Sequence, residues 1–212
     1  LEIYCFFLIF FSFTLSNTQS GTLDRKANFY QLYDSAVKSG ETLKKGGNFE
    51  QAIDAFTQAL KIAREIGNKE GEIKCLIDLG ILYWNIGQIE QSSERYKQAL
   101  SLAKKINLKD REEECLNALE IYRLYKEGKR LRDLKAYQEC IDKFRRAIDL
   151  ARRIGSKEHE VKCLRQLGYT YWELNKLQEL FSLSKEALKI AKSLNHRVET
   201  GRCLNNIGLY YW

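Results

Sequence analysis

Beyond residue 24 the chain repeats itself, and that repetition constrains the fold more than any other feature. Cysteine recurs at Cys75, Cys115, Cys163 and Cys203, and alanine at Ala59, Ala99, Ala147 and Ala187, each series with spacings of 40, 48 and 40 residues. The segment GNKEGEIKCLIDLGILYW (67–84) returns as GSKEHEVKCLRQLGYTYW (155–172). Sliding residues 38–124 onto 126–212 gives about 31 identities in 87 pairs. The array is therefore a duplicated pair of units, one of 40 residues and one of 48. A unit this short cannot bury its apolar face alone, so successive units must stack.

Each unit reads as two amphipathic helices. In 48–66 the apolar residues Phe49, Ala52, Ile53, Phe56, Ala59, Leu60, Ala63 and Ile66 fall on one helical face. Asn48 followed by Gln51 three residues later has the pattern of a capping box. The stop positions Gly67, Asn107, Gly155 and Asn195 hold only glycine and asparagine, the residues that tolerate positive φ best. A second helix is expected over about 71–86, and the eight extra residues of the longer unit predict one extended helix over 110–134. The first unit is expected to open with a helix over about 24–46. Gly40, Gly80, Gly128, Gly168 and Gly208 recur at spacings of 40, 48, 40 and 40. A mid-helix glycine costs about 1 kcal/mol relative to alanine, so its recurrence predicts a close helix–helix approach. Ala52, Ala99 and Ala147 serve the same approach from the second helix. The chain has no proline, which agrees with an all-helical reading.

The pattern resembles that of tetratricopeptide (TPR) repeats over about 24–212. Gly80 with Tyr83, Gly168 with Tyr171, Gly208 with Tyr211, Gly40 with Leu43 and Gly128 with Leu131 match the first-helix motif. Gly47-Asn48-Phe49 matches the turn. Ala52, Phe56, Ala59, then Ser92, Tyr96, Ala99, then Cys140, Phe144, Ala147 match the second helix. Unit 4 departs, with Leu180 and Ser184 in the first two slots, and looser packing is expected there. The resemblance implies an all-α solenoid of antiparallel helix pairs in a right-handed superhelix, with units of about 24–70, 71–110, 111–158 and 159–198 and a partial unit 199–212. The long period is similar to TPR arrays of kinesin light chains, of G-protein-signalling scaffolds and of bacterial proteins whose array precedes a CHAT (caspase-like) protease domain.

In such an array the concave lining carries recognition. Phasing from the glycines picks out Lys74, Ile77, Ile81, Trp84 and Asn85, then Tyr122, Tyr125, Lys129 and Arg132, then Lys162, Arg165, Tyr169 and Trp172, and finally Arg202 and Asn205. All three tryptophans, Trp84, Trp172 and Trp212, fall at one repeat-equivalent position. Aromatics among Lys and Arg suit a peptide with a carboxylate or acidic side chains and apolar anchors. The alternative is that Trp84 and Trp172 pack against neighbouring helices and close the core.

The expected role is a non-enzymatic protein- or peptide-binding scaffold. A second reading is the recognition part of a larger effector, for example a CHAT-type protease, with its output domain beyond Trp212. A third, binding to nucleic acid or an anionic surface, rests on the net charge, +7 for the chain and +8 without residues 1–20; an export signal argues against nucleic acid, so none is expected, and a membrane is expected only through a retained N-terminal segment. No phosphate-binding loop, G-x-S-x-G or H-E-x-x-H motif occurs, so no catalytic residue, metal or cofactor is assigned. His159 and His196 are expected on the surface, at helix ends. The repeated cysteines, a helix spacing of about 8–10 Å apart, are too distant from one another for the about 7 Å limit of a disulfide and are expected as small packed residues. Residues 3–15, almost wholly apolar, read as the h-region of an export signal within 1–20, with a retained membrane anchor or a core segment as the alternatives. The first reading predicts an exported protein.

Overall fold

The computed structural model describes residues 27–212. The apolar segment at 3–15 lies outside them, and no described helix is long and apolar enough to cross a membrane. The described residues form nine helices: α1 over 27–45, α2 Phe49–Glu65, α3 Lys69–Asn85, α4 Ile89–Lys105, α5 Lys109–Asp133, α6 Tyr137–Arg153, α7 Lys157–Glu173, α8 Leu177–Ser193 and α9 Arg197–Tyr211. Each helix packs on the next, and the described residues form an all-α solenoid of antiparallel pairs. The extended helix anticipated at 110–134 is α5.

The helices are joined by one device, used eight times among the described residues: a three-residue turn whose middle residue has positive φ. Gly47, Gly67, Gly87, Asn107, Lys135, Gly155, Asn175 and Asn195 hold those positions. In the second turn Asn68 N–H donates to the Ala63 carbonyl and Gly67 N–H to the Arg64 carbonyl, which satisfies the last carbonyls of the helix. The anticipated stops at Gly67, Asn107, Gly155 and Asn195 are all of this kind. The capping box at Asn48 is not formed: Asn48 stands at the N-cap but its side chain makes no cap bond. The backbone turn already sets the start of the helix, and exposed Asn48 leaves the first N–H groups to water. Asn68 does cap, accepting from Gly71 N–H at 2.8 Å.

Within each pair the glycine sits under the ring of the following helix. A Cβ at Gly40 would lie 2.7 Å from Phe56, at Gly80 2.9 Å from Tyr96 and at Gly128 2.9 Å from Phe144. Ala52, Ala99 and Ala147 are fully buried beside these rings. In unit 4 Ser184 replaces the ring, and a Cβ at Gly168 would meet its Oγ only at 3.4 Å, so packing is looser there, as anticipated. An ion triad joins α2 to α3 in the first half, and its equivalent joins α6 to α7 in the second. Glu72 binds Arg64 and Lys69 at 2.8 and 3.1 Å, and Glu160 binds Arg152 and Lys157 at 2.7 and 2.6 Å. Cys75, Cys115, Cys140, Cys163 and Cys203 are buried free thiols. Burial pushes Cys163 up to about 12 and Cys75 up to about 11, so they remain protonated packing residues.

Two predictions come from the glycines. Gly80→Ala and Gly128→Ala should each destabilise the fold by about 1–3 kcal/mol, because the added methyl meets a ring that has nowhere to go. Gly168→Ala should be neutral or stabilising by up to about 1 kcal/mol, because helix propensity improves without a clash. Chemical denaturation midpoints of the three variants would separate these outcomes.

Candidate functional site

The first helices of the pairs, α1, α3, α5, α7 and α9, carry the residues that the sequence phases toward the concave face. The structure divides those residues into two groups, because the superhelix meets itself. The α1–α2 turn reaches the α8–α9 turn, where Asn195 Nδ2 donates to the Lys45 carbonyl at 2.9 Å. A Cβ at Gly47 would run into the Asn195 carbonyl. Phe49 packs edge-on to the His196 ring at 4.6 Å between centroids. Beside this contact the C-terminal end of α3 abuts the starts of α7 and α9.

The first group of residues lies inside that seam. Trp84 is fully buried, its Nε1 donating to the Glu158 carbonyl at 2.9 Å, its ring 4.6 Å from His159 and 4.8 Å from Tyr125. Lys162, 2% exposed, directs its ammonium at the carbonyls of Trp84 and Asn85 at the C-terminal end of α3, the first of which also accepts from Gly87 N–H. A cation at that end of a helix is favoured by the helix dipole. Burial lowers the Lys162 pKa to about 8, opposed by the nearby Glu199 carboxylate. Ile77, Asn85 and Tyr125 are buried as well. These five residues, Ile77, Trp84, Asn85, Tyr125 and Lys162, were anticipated as groove lining and are instead interior. A linear array would expose them, but here the ends of successive units converge and exclude water. His159 and His196, anticipated on the surface, are each 1% exposed for the same reason. Lys74 and Ile81 are half-buried, and Lys74 is paired with Glu41 of α1 at 2.9 Å.

The second group stays open, along α5, α7 and α9. Tyr169 and Trp172 pack together at 5.2 Å between ring centroids and are partly exposed. Arg132 lies over the Tyr169 ring at 4.9 Å and donates to Gln166. Lys129, Arg202 and Asn205 are exposed and Tyr122 half-buried. Arg165, Tyr169, Arg202 and Asn205 line one cleft of about 430 Å³ between α7 and α9. Two of its lining residues, Arg165 and Arg202, each donate at 2.7 Å to Glu199, which is fully buried and does not itself line the cleft. Burial works to raise the Glu199 pKa, yet Arg165, Lys162 and Arg202 together hold it below the usual carboxylate value. The three equivalent tryptophans thus occupy three environments: buried at Trp84, half-buried at Trp172 and fully exposed at Trp212.

Sequence reasoning missed Glu199, His159 and His196. The signal was the comparison of the two halves. His159 stands where the first half has Gly71, and His196 where it has Leu108. A position that changes size between duplicated halves is where the halves have unequal neighbours. Among the described residues no group of His, Cys, Asp and Glu could hold a metal ion.

The buried histidines give the fold a pH dependence. Burial lowers His159 to about 3, with Lys162 adding to the effect, and burial lowers His196 as well. The unfolded chain takes up protons below its ordinary value of about 6.5 while the folded chain does not, so stability falls as pH drops from 6.5 toward 3. His159 alone should account for about 2 kcal/mol lost by pH 5. Denaturation midpoints at pH 7.5 and 5.0 should show the drop, and His159→Phe, which keeps a ring against Trp84, should reduce it.

Residues 32–105 match the family model of the tetratricopeptide repeat. No curated protein matches the chain. Among solved structures it is similar to a Rap protein complexed with Competence and Sporulation Factor, at 19% identity and a TM-score of 0.49, over 85% of this chain and 48% of that one. It is similar to the Rap conjugation gene regulator of the plasmid pLS20 in complex with the Phr* peptide, at 18% identity and a TM-score of 0.49, over 91% and 55%. A STAND protein with a tetratricopeptide repeat sensor from Pyrococcus horikoshii matches at 20% identity and a TM-score of 0.44, over 92% and 32%. The chain spans about half the length of the two Rap structures. The match covers 32–105, about a third of the chain, and the described residues carry the same helix pairing on through the later units.

Proposed function

We propose that this chain is a non-enzymatic scaffold that captures a protein or peptide partner on the open α5–α7–α9 face. The observation that carries the reading is one basic and aromatic surface that stays open after the seam has buried Ile77, Trp84, Asn85, Tyr125 and Lys162. Tyr169 and Trp172 supply large apolar area with few rotamers to freeze. Lys129 stands exposed on α5, and Arg132 presents a guanidinium already positioned by Tyr169 and Gln166. Arg165 and Arg202 are partly neutralised by Glu199, so the cationic character rests mainly on Lys129 and Arg132. A segment with an aromatic or aliphatic anchor next to one or two carboxylates fits that arrangement.

Selection from a displayed peptide library against the full chain would test it. Enriched peptides should carry acidic residues flanking an apolar anchor. Trp172→Ala and Arg132→Ala should each weaken binding of a selected peptide at least tenfold while leaving the denaturation midpoint nearly unchanged. Trp84→Ala should instead cost about 3–5 kcal/mol of stability, as expected for a large buried aromatic. Peptide affinity unchanged in the Trp172 variant would place recognition elsewhere.

A further inference from the structure

The seam where the superhelix meets itself forms a pocket of about 220 Å³ that opens to solvent, lined from α1 by Lys45, from α2 by Phe49, from α3 by Asn85, from α7 by Glu158 and just past α8 by Leu194. That is several times the roughly 30 Å³ share of one water. Asn85 is 3% exposed, and its side-chain Oδ1 is buried with no hydrogen-bond partner. An unmade bond at a buried acceptor costs about 1–3 kcal/mol, so such an atom calls for a donor. The backbone carbonyl of the same residue is satisfied, by Lys162 and His196. The orphan is the side chain alone.

The charges around the cavity are divided in an unusual way. Lys44 is committed to Asp78 at 2.9 Å, and Ser193 Oγ to the Ile190 carbonyl at 2.8 Å. Lys45 and Glu158 line the same small space, and among the described residues neither is within ion-pair distance of the other or of any other charged side chain. The lining therefore offers the Glu158 carboxylate, the buried Asn85 acceptor, the ammonium of exposed Lys45, the Phe49 ring and Leu194. A molecule that carries an ammonium and a carboxylate on one small carbon skeleton answers all of these groups at once.

We propose that the seam cavity is a binding site for a free α-amino acid, its ammonium held by Glu158 and Asn85 Oδ1, its carboxylate by Lys45, and its side chain against Phe49 and Leu194. The ligand touches both ends of the superhelical turn, so it binds the closed array in preference to the open one and stabilises it by mass action. The site is separate from the α5–α7–α9 face.

The test is thermal unfolding and titration calorimetry of the full chain with each of the twenty standard amino acids, with acetate and methylamine as half-ligands. A saturable rise in Tm with a subset of small or aliphatic amino acids, absent with either half-ligand, is expected. Lys45→Ala and Glu158→Gln should each weaken that binding at least tenfold. Both variants leave the seam intact, because Asn195 and Trp84 bond to the backbone carbonyls of those residues and not to their side chains. Three results would overturn the proposal: no amino acid raises Tm, which means that water alone fills the cavity; acetate or methylamine reproduces the shift; or both variants bind as the unaltered protein does.

Discussion

The separation of the two helices in a pair depends on one contact, the face of a Phe or Tyr ring on the backbone of a glycine. Phe56 on Gly40, Tyr96 on Gly80 and Phe144 on Gly128 hold neighbouring helices closer than any side chain would allow. Ala52, Ala99 and Ala147 take the remaining space. The same contact recurs in three of the four pairs, and the same three-residue turn passes each pair to the next. Similar steps accumulate into a superhelix, and here the accumulated turn brings the α1–α2 loop onto the α8–α9 loop.

Closure changes what each repeat-equivalent position does. At the C-terminal end of α3 the turn satisfies the Tyr83 and Trp84 carbonyls, and a linear array would leave that of Asn85 to water. Lys162 and His196 reach that end from α7 and α9, and Trp84 fills the space between. Burying an ammonium is tolerable only with good partners, and here two carbonyls and the field of Glu199 supply them. The same enclosure forces His159 and His196 to stay neutral. It divides the concave lining into an interior half and an open half, and only the open half has the exposure that recognition needs.

Legibility in the sequence follows from range. Helix ends, the long α5, the buried glycines and the unpaired cysteines are local or nearest-neighbour features, and period and residue type are enough to place them. Lys135 is the exception among the turns, since it takes φ +59° where glycine or asparagine stands elsewhere; the backbone of the turn overrides the residue's own preference. The candidate site was only half legible. Helical phasing found Arg132, Arg165, Tyr169, Trp172, Arg202 and Asn205, which the structure brings to one surface. It also selected Ile77, Trp84, Asn85, Tyr125 and Lys162, which point the same way but meet another part of the chain.

The sequence by itself determined the repeat, the helix pairs, their turns and the small residues between them, because each depends on residues within about 40 positions of one another. Only the tertiary structure decided which concave residues are open, because burial of Trp84 depends on residues 74 to 78 positions away, and that of Asn85 on His196, 111 away. Those contacts arise from the summed curvature of four repeats, a quantity that no single repeat contains.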